Sequence, residues 1–447
     1  MRVSWTAEEL ARDSGAEILS DPGGAATGFA IDSREVEAGD LFIGIPGERV
    51  DGGNFAAGVI EAGAWGALVT PAAAEAIGDP GGVVLVHPDP VRALGSLAGA
   101  HRASLECPVI GVTGSSGKTS TKDILASLLA TEGETLASRG NRNTEIGMPL
   151  EILRAGPETR FLVLEMAMRG RGQIERLAEI AKPDLGVIVS IGPAHLDLLG
   201  SIEAIAAAKS ELIEGLAPGS VAVIPSDEPL LDPHRRDDLK MVTFGPGGDV
   251  ELLEADGRLL TISAFGTGHK VSVNFDQPHN RVNLLASIAA AEAVGVRPPS
   301  DLGVAFSALR GERIGLQDGV LVINDCYNAN PSSVSAALDD LAEESARRGG
   351  RSVAVLGDML ELGPQERDFH VATGRDARQH GVGLLVTVGP LAKAMVDGFD
   401  GESVSVSTAR DAADAVPGLL EEGDTVLVKG SRGVGLDLLT ERLREQG

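Results

Sequence analysis

The stretch Val109-Ile110-Gly111-Val112-Thr113-Gly114-Ser115-Ser116-Gly117-Lys118-Thr119 decides the fold of the central part of this 447-residue chain. Its first four residues form a short apolar run, which is typical of a buried parallel strand. A turn of glycine and serine follows, and a helical pattern then continues through Ala130. Glycines let such a loop wrap a phosphate, and the free amides at the helix N-terminus point at the anion. The stretch therefore predicts an α/β domain that binds a nucleoside triphosphate.

In loops of this kind the lysine reaches the β- and γ-phosphates and the next hydroxyl holds magnesium, roles that fall to Lys118 and Thr119. The spacing departs from the plain Walker A pattern, because Val112 stands where a glycine is usual and Gly111 lies one position earlier. An ordinary glycine-rich turn is the alternative, but Gly-Lys-Thr between a strand and a helix is rarely accidental. The predicted loop contacts to ATP are Gly114, Ser115, Ser116, Gly117, Lys118, Thr119 and Ser120.

Outward from the loop, short apolar runs alternate with helical stretches in three successive parts of the chain. This alternation predicts an α/β fold of three domains, at residues 1–104, 105–309 and 310–447. Continuous apolar runs in the central part indicate a parallel sheet covered on both faces. Between about residues 240 and 275 the pattern becomes polar and turn-rich, which indicates a small antiparallel insert or edge. The third part is Rossmann-like, although Gly-x-Gly-x-x-Gly is absent after its first strand.

The charge balance limits the partners of the chain. With 65 acidic against 38 basic residues the net charge is -27. Nucleic acids and anionic membranes require a basic face, so neither is an expected partner. A small anionic substrate needs only a local nest of amides and a few cations, and it remains compatible. No apolar run reaches the length of a membrane span and the N-terminus lacks a signal-peptide pattern, so we expect a cytoplasmic protein without membrane insertion.

Two side chains with metal-binding chemistry follow the predicted central strands, and a lysine lies farther along the chain. Glu165 ends the apolar run 161–165, where a carboxylate serves either as a magnesium ligand or as a helix cap. His195 lies past the run 185–190, and a lone histidine is more often structural than a ligand. On spacing alone Lys209 is an exposed helix lysine, because lysines are mostly exposed. The residues by themselves leave these alternatives open.

Motifs in all three parts resemble the Mur ligase family, within the superfamily that also holds the folylpolyglutamate synthetases. The loop fits the version Gly-x-x-Gly-x-x-Gly-Lys-Thr, and residues 325–331 read Asp-Cys-Tyr-Asn-Ala-Asn-Pro against the family's Asp-Ser-Tyr-Asn-Ala-Asn-Pro. Asp32-Ser33-Arg34 resembles the family's UDP-binding domain, although Gly53 replaces a usual histidine nearby. The resemblance covers essentially the whole chain. It implies a UDP-binding N-terminal domain, a central P-loop ATPase-like domain and a C-terminal Rossmann-like ligase domain.

The resemblance also implies a role for each matching residue. Catalysis would fall to Lys118, Lys209, His195 and Arg313, the last brought to the phosphates by the C-terminal domain. Further ATP contacts would be Asn283, Arg313, Asp325, Asn328 and Asn330. Two Mg²⁺ ions would bind Thr119, Glu165, His195 and Lys209, with Lys209 carbamylated by CO2. Substrate contacts would be Ser33, Arg34, Asn141, Asn143, Lys429, Ser431 and Arg432.

Two of the implied contacts have ordinary structural alternatives. Asn280, which precedes Asn283 in the segment that the resemblance places at the adenine, is also a suitable helix cap. The loop of Asn141 and Asn143 is also an ordinary Asn/Gly turn, and Thr144 replaces the second asparagine of the family's Asn-Asn-x-Ile-Gly.

The motifs at 325–331, 357–363 and 429–432 together resemble the family members that join D-alanyl-D-alanine to UDP-N-acetylmuramoyl-tripeptide in peptidoglycan precursor synthesis. The implied chemistry is phosphorylation of the tripeptide carboxylate by ATP, followed by attack of the dipeptide amine on the acyl phosphate. One alternative is a related ligase that adds a different amine, although the Asp-Asn-Pro-Arg motif of the diaminopimelate-adding members is absent. The other is an inactive nucleotide-binding homologue, and the argument against it is the retained set Lys118, Thr119, Glu165, His195 and Lys209. We expect a monomer that acts on small molecules.

Overall fold

The computed structural model describes residues 4–78 and 81–446, so the outermost ends of the predicted ranges, 1–3 and 447, lie outside it. The first part folds around a five-stranded sheet in the order β1-β5-β4-β3-β2. All neighbours in this sheet are parallel except β1 and β5. Its elements are α1 (Ala7–Ser14), β1 (Glu17–Ser20), β2 (Gly28–Ala30), β3 (Asp40–Ile43), α2 (Ala56–Glu61), β4 (Gly66–Val69), α3 (Pro71–Ile77), β5 (Val83–Val86) and α4 (Pro90–Ser104).

The central part forms a ten-stranded sheet in the order β15-β14-β13-β12-β11-β10-β9-β6-β8-β7. Its strands are β6 (Val109–Thr113), β7 (Thr135–Ala137), β8 (Phe161–Glu165), β9 (Leu185–Ile188), β10 (Val221–Pro225), β11 (Lys240–Phe244), β12 (Val250–Asp256), β13 (Leu259–Ala264), β14 (Thr267–Val273) and β15 (Asp301–Leu302). Its helices are α5 (Lys118–Leu129), α6 (Gly147–Leu153), α7 (Gln173–Ala181), α8 (Leu196–Leu199), α9 (Ile202–Glu214) and α10 (Pro278–Ala293). The expected antiparallel segment is confirmed, because β12, β13 and β14 pair antiparallel and extend the parallel sheet.

The last part forms a six-stranded sheet in the order β16-β17-β21-β18-β19-β20, in which only β16 is antiparallel to its neighbour. Its strands are β16 (Glu312–Gly315), β17 (Leu321–Asn324), β18 (Ser352–Gly357), β19 (Leu384–Val388), β20 (Ser403–Val406) and β21 (Thr425–Lys429). Its helices are α11 (Pro331–Arg348), α12 (Glu366–Gln379), α13 (Val396–Phe399), α14 (Ala409–Ala415) and α15 (Asp437–Gln446).

The central sheet is buried on both faces, as its continuous apolar runs predict. Successive residues of β6 show this directly: Ile110 and Val112 pack with α5 and α10, whereas Val109 packs in the core on the opposite face. That second core also contains Leu94 of α4 and Leu41 of β3. The first two parts of the chain therefore share one hydrophobic core, and each also buries a core of its own, which in the first part lies around Phe42 and Ala67. We propose that the domain boundaries predicted at 104/105 and 309/310 separate the three sheets.

The carboxyl ends of several parallel strands face the junction between the central and last sheets. In the central sheet these are the ends of β6, β8 and β9, and in the last sheet the ends of β17, β18 and β21. Ligands of open parallel sheets bind at such ends, so the fold itself indicates where the site lies. Within the described ranges, no helix combines the length and the apolar character that crossing a membrane requires.

Candidate active site

The predicted phosphate loop connects β6 to α5, and its backbone explains the unusual glycine spacing. Gly117 has φ +78°, and a Cβ on it would lie 2.5 Å from the side-chain oxygen of Asn283. Gly114 has φ +159°, and a Cβ on it would lie 3.0 Å from the backbone oxygen of Ser116. Gly111, by contrast, lies inside β6, where a Cβ would press on Met166 and Leu212. The first glycine of the motif is therefore a packing residue of the strand, and the later two shape the loop.

Lys118 folds back over its own loop. Its Nζ donates a hydrogen bond of 2.6 Å to the carbonyl of Gly114. Burial lowers the pKa of Lys118, and the charge of Glu165 partly opposes that effect. The amine is thus held at the mouth of the loop, where an incoming phosphate would provide the missing counter-charge.

Glu165 connects three of the predicted site residues. It is 3% exposed, and one carboxylate oxygen accepts from the hydroxyl of Thr119 at 2.8 Å. The other oxygen accepts from the side-chain amide of Asn143, also at 2.8 Å. Glu165 is therefore not a helix cap. It joins the phosphate loop to the asparagine loop, two of the sites that the sequence predicted separately.

Lys209 is almost completely buried, at 2% exposure on α9. Burial lowers its pKa well below the usual value, and the charge of Lys118 lowers it further. The interpretation as an exposed surface lysine is wrong. A buried lysine with a depressed pKa carries a neutral, nucleophilic amine in a much larger fraction of molecules than an exposed one does.

His195 lies between the two sheets and contacts the last part of the chain. Its Nδ1 is 2.5 Å from a carboxylate oxygen of Glu361, in the segment that follows β18. Burial lowers the pKa of His195, and the hydrogen bond to Glu361 raises it in part. The charges of Lys118 and Lys209 also act on the ring. His195 is therefore close enough to Lys118 and to Lys209 for their charges to affect its pKa.

A cavity at the seam of the two sheets contains most of the predicted ATP contacts. On the central side it is lined by Ser115, Ser116, Gly117, Lys118, Thr119, Ser120, His279 and Asn283. On the other side it is lined by Arg310, Asp325, Asn328, Asn330, Ser333, Ala336 and Lys429. The side-chain amide of Asn330 donates to the carbonyl of Ser115 at 3.3 Å, so the two walls are in contact.

Arg310, not Arg313, reaches the phosphate loop in this structure. Its guanidinium donates to the Thr119 hydroxyl at 3.1 Å and stacks 4.1 Å above the ring of Tyr327. Arg313 pairs instead with the buried carboxylate of Asp340 at 2.5 Å. Sequence reasoning missed Arg310 because it precedes the Gly-Glu-Arg segment that drew attention to Arg313.

The walls of the cavity beyond the loop carry amides and one charged pair. Lys429 Nζ lies 2.5 Å from a carboxylate oxygen of Asp325 and also donates to the carbonyl of Asn328. Asn280 does not cap α10, because Gln277 occupies that position. Asn280 instead accepts a hydrogen bond of 3.1 Å from the side-chain amide of Asn283.

His279 is another cavity residue with a free polar atom. Its ring is buried, and its Nδ1 has no hydrogen-bond partner among the described residues. Burial lowers its pKa, which keeps the ring neutral. A bound ligand at this wall therefore meets an unsatisfied imidazole nitrogen and amide groups.

The predicted substrate contacts lie outside this cavity, except for Lys429. Arg34 pairs with Asp32 through an exposed ion pair that lowers the pKa of that carboxyl to about 2. Ser431 is buried and accepts from the backbone amide of Leu360, whereas Arg432 lies 3.2 Å from Asp437. Ser33 and Asn141 lie near the surface. The structure therefore joins Asn143 to the loop site and leaves the other substrate contacts as predictions.

Three domain families match successive segments of the chain. The descriptions are "Mur ligase family, catalytic domain" at residues 25–102, "Mur ligase middle domain" at 112–291 and "Mur ligase, glutamate ligase domain" at 309–432. The chain belongs to the Mur ligase family.

Curated Mur ligases match this chain over nearly its full length. The UDP-N-acetylmuramoyl-tripeptide–D-alanyl-D-alanine ligase of Bacillus subtilis is 36% identical, with 94% of this chain and 93% of that protein covered. The enzyme of the same name from Synechocystis is 38% identical, with 93% and 91% covered.

Solved Mur ligase structures have the same architecture. MurF from Acinetobacter baumannii superposes with a TM-score of 0.89 at 30% identity over 99% of both chains. The MurF ligase from Thermotoga maritima, solved in complex with ADP, superposes with a TM-score of 0.81 at 28% identity, covering 94% of this chain and 97% of that one.

Proposed function

We propose that this Mur ligase joins D-alanyl-D-alanine to UDP-N-acetylmuramoyl-tripeptide, at the expense of ATP, in peptidoglycan precursor synthesis. The observation that carries the proposal is the seam cavity, in which a phosphate loop faces Arg310 and the Asp325 motif across two sheets. Similarity of 36% over nearly the whole length to a curated ligase of that specificity supports the same substrates. No observation favours a diamino acid as the incoming amine.

ATP is the nucleotide, with its phosphates on the loop and its base toward α10. The backbone amides from Ser115 to Thr119, together with Lys118, would hold the β- and γ-phosphates. The free Nδ1 of His279 and the amide of Asn283 would face the adenine side. The solved MurF ligase with bound ADP supports nucleotide binding in this architecture.

Magnesium fits the donors at the mouth of the loop. The described residues contain no group of three or more His, Cys, Asp or Glu side chains that could hold a metal without help. Mg²⁺ in nucleotide sites instead takes one or two carboxylates and completes its shell with phosphate oxygens and water. Thr119 and Glu165, already 2.8 Å apart, form such a partial donor set. His195 and a modified Lys209 would form a second, and bound Mg²⁺ would neutralise charge on the transferred phosphoryl group.

A carbamate on Lys209 fits the surroundings of its amine. Carbamylation requires a neutral amine, because the lone pair attacks the carbon of CO2. Burial and the charge of Lys118 both depress the pKa of Lys209 and so supply that form. The carbamate oxygens would carry negative charge beside the cation of Lys118 and the ring of His195, which would offset the burial of like charges.

The protein residues act on the reaction by position and charge. The terminal carboxylate of the tripeptide attacks the γ-phosphorus of ATP and ADP leaves, which gives an acyl phosphate. The amine of D-alanyl-D-alanine then attacks the acyl carbon, and phosphate departs with one carboxylate oxygen. Lys118 and Arg310 stabilise charge on the phosphoryl oxygens in the first step. No side chain needs to form a covalent bond to substrate.

Assembly and location follow from the same proposal. Every element of the site comes from one chain, so a monomer is sufficient for catalysis. The net charge of -27 argues against an anionic membrane as a partner. We propose the cytoplasm as the location of the protein.

Phosphate release tests the proposed function. The enzyme is incubated with ATP, Mg²⁺ and UDP-muramoyl-tripeptide, with and without D-alanyl-D-alanine. Release that depends on the dipeptide supports the proposal. Release with UDP-muramoyl-dipeptide and a free diamino acid, but not with the dipeptide amine, would reassign the enzyme to the preceding step. The Lys118→Ala variant is the control for contaminating ATPase activity.

A further inference from the structure

Glu361 is a charged residue of the last part of the chain that the chemistry above does not use. It lies in residues 358–363, which follow β18 and contact the central sheet. Its side chain contacts His195 at 2.5 Å and Arg169 at 3.7 Å. These partners follow β9 and β8, so Glu361 joins three loops at the carboxyl ends of three strands.

The backbone around this contact is held in an unusual conformation. His195 has φ +59° and Glu361 has φ +63°, in the left-handed region that side chains with a Cβ rarely adopt. Such a conformation is strained and persists only where its surroundings enforce it. Here the amide of Asp197 donates to the carbonyl of Glu361 at 3.3 Å. A Cβ on Gly363 would lie 3.2 Å from the Cα of Asp197. The two segments are thus closely fitted at this point.

The contact fixes the tautomer of the histidine. An ionised carboxylate only accepts hydrogen bonds, so Nδ1 of His195 carries the proton that it donates to Glu361. In the neutral ring the lone pair is then on Nε2, which is the nitrogen left for a metal ion. Metal-binding histidines are commonly oriented in this way by a carboxylate on the other nitrogen.

We infer that Glu361 is a positioning residue through which the C-terminal sheet sets the tautomer and orientation of His195. The inference rests on the proposed function, because His195 is a metal ligand only within it. The last part of the chain then contributes to the site twice, through Arg310 at the phosphates and through Glu361 at the histidine. When the C-terminal sheet docks on the central sheet, Glu361 therefore also orients His195 for metal binding.

The first test determines the tautomer of His195 in the absence of metal and nucleotide. Long-range ¹H–¹⁵N correlation spectra of ¹⁵N-histidine-labelled protein distinguish the two neutral tautomers, and His195→Ala assigns the resonance. We expect the Nδ1–H tautomer in the wild type and in Glu361→Gln, whose amide oxygen still accepts. We expect a shift toward the Nε2–H tautomer in Glu361→Ala. An unchanged spectrum in Glu361→Ala would overturn the inference.

The second test is the Mg²⁺ dependence of ligation. Loss of an outer partner of a metal ligand costs about 10–100-fold in metal affinity. Glu361→Ala should raise the Mg²⁺ concentration for half-maximal rate by that factor and leave the KM for ATP near wild type, with partial recovery in Glu361→Gln. Equal losses in Mg²⁺ and ATP affinity would mean that Glu361 only docks the sheet, and would overturn the inference.

Two variants serve as controls. Asp368→Ala removes an exposed carboxylate from the first turn of α12 and should change neither readout. Arg169→Ala removes an exposed ion partner, whose interaction is weak because water screens it, and should leave the tautomer unchanged. Absence of ligation by the wild type would reject the proposed function, whereas the tautomer would still decide the contact of Glu361 with His195.

Discussion

Lys118 is the residue on which phosphate binding depends most directly. Among the described residues its amine donates one hydrogen bond, to the carbonyl of Gly114, so its removal should leave the packing of the fold nearly unchanged. We predict that Lys118→Ala abolishes ligation while the thermal unfolding midpoint stays close to that of the wild type. Ligation assays and calorimetry on the same preparation check this. A folded variant with near-wild-type ligation would reject the mechanism.

Lys209 combines a cost to stability with a role in function. Its pKa in the folded state lies well below 10.5, so the unfolded chain binds more protons between those two values. Stability therefore rises with pH through that window, and the full penalty of burying the charged amine is present below it. We predict that Lys209→Met is inactive in ordinary buffer, and that in CO2-free buffer it is more stable than the wild type at pH 7, with a difference that shrinks toward pH 10.5. Urea unfolding across that range measures it. A difference that grows with pH would contradict the assignment.

Arg310 and Arg313 are three residues apart and have different surroundings. Arg310 contacts Thr119 of the loop, whereas Arg313 pairs with the buried Asp340. We predict that Arg310→Ala lowers kcat by about 10²–10³-fold, as expected for loss of a group that stabilises transition-state charge, with little loss of stability. Arg313→Ala is the matched control and should chiefly destabilise the fold, because it leaves a buried carboxylate unpaired. The reverse pattern in steady-state kinetics and urea unfolding would restore Arg313 to the phosphates.

Some of these residue roles could be predicted from the sequence, and others could not. Gly114, Gly117 and Lys118 are fixed by local backbone geometry, so a motif in the chain identifies them. Lys209 looked exposed because α9 is rich in alanine and the partners that bury it are distant in sequence. Arg310 and Glu361 act across the seam between sheets, and no local pattern shows such contacts.

At the scale of elements, α5 is anchored to the segment that leads into the last sheet. Lys122 and Asp123 on α5 form a buried ion pair of 2.7 Å. Asp123 also accepts from the backbone amide of Ser307 at 2.8 Å and from its hydroxyl at 3.2 Å. Ser307 lies three residues before Arg310, so this anchor sets where the arginine enters the cavity.

We predict that Asp123→Ala destabilises the protein by about 3–5 kcal/mol, because it leaves the Lys122 cation buried without its partner. Urea unfolding measures the loss. The double variant with Lys122→Met should recover most of it, since no buried charge then remains. A double variant as unstable as the single one would show that the Ser307 contacts, and not the ion pair, carry the stability.

The relative direction of the strands was partly predictable from the sequence. Continuous apolar runs predicted the parallel strands of the central sheet, and the polar stretch near 240–275 predicted the antiparallel ones. Short strands such as β7 and β15 carry too few residues for a pattern, and they exist because neighbouring strands pair with them. The core shared by the first two sheets was also not predictable, because packing between sheets leaves no periodic signal.

At the scale of the whole molecule, the site exists only where two sheets meet. The central sheet supplies the phosphate loop and the metal donors, and the last sheet supplies Arg310, Glu361 and the Asp325 motif. The contacts between Asn330 and Ser115 and between Glu361 and His195 hold the two walls together.

An ¹⁸O-labelling experiment tests most directly whether ligation proceeds through an acyl phosphate. UDP-muramoyl-tripeptide carrying ¹⁸O in its terminal carboxylate is incubated with ATP, Mg²⁺ and D-alanyl-D-alanine, and product and phosphate are analysed by mass spectrometry. We expect a muropeptide heavier by one D-alanyl-D-alanine unit and phosphate that carries one ¹⁸O atom from the carboxylate. Phosphate without label, or ATP hydrolysis without the heavier muropeptide, would contradict ligation through an acyl phosphate.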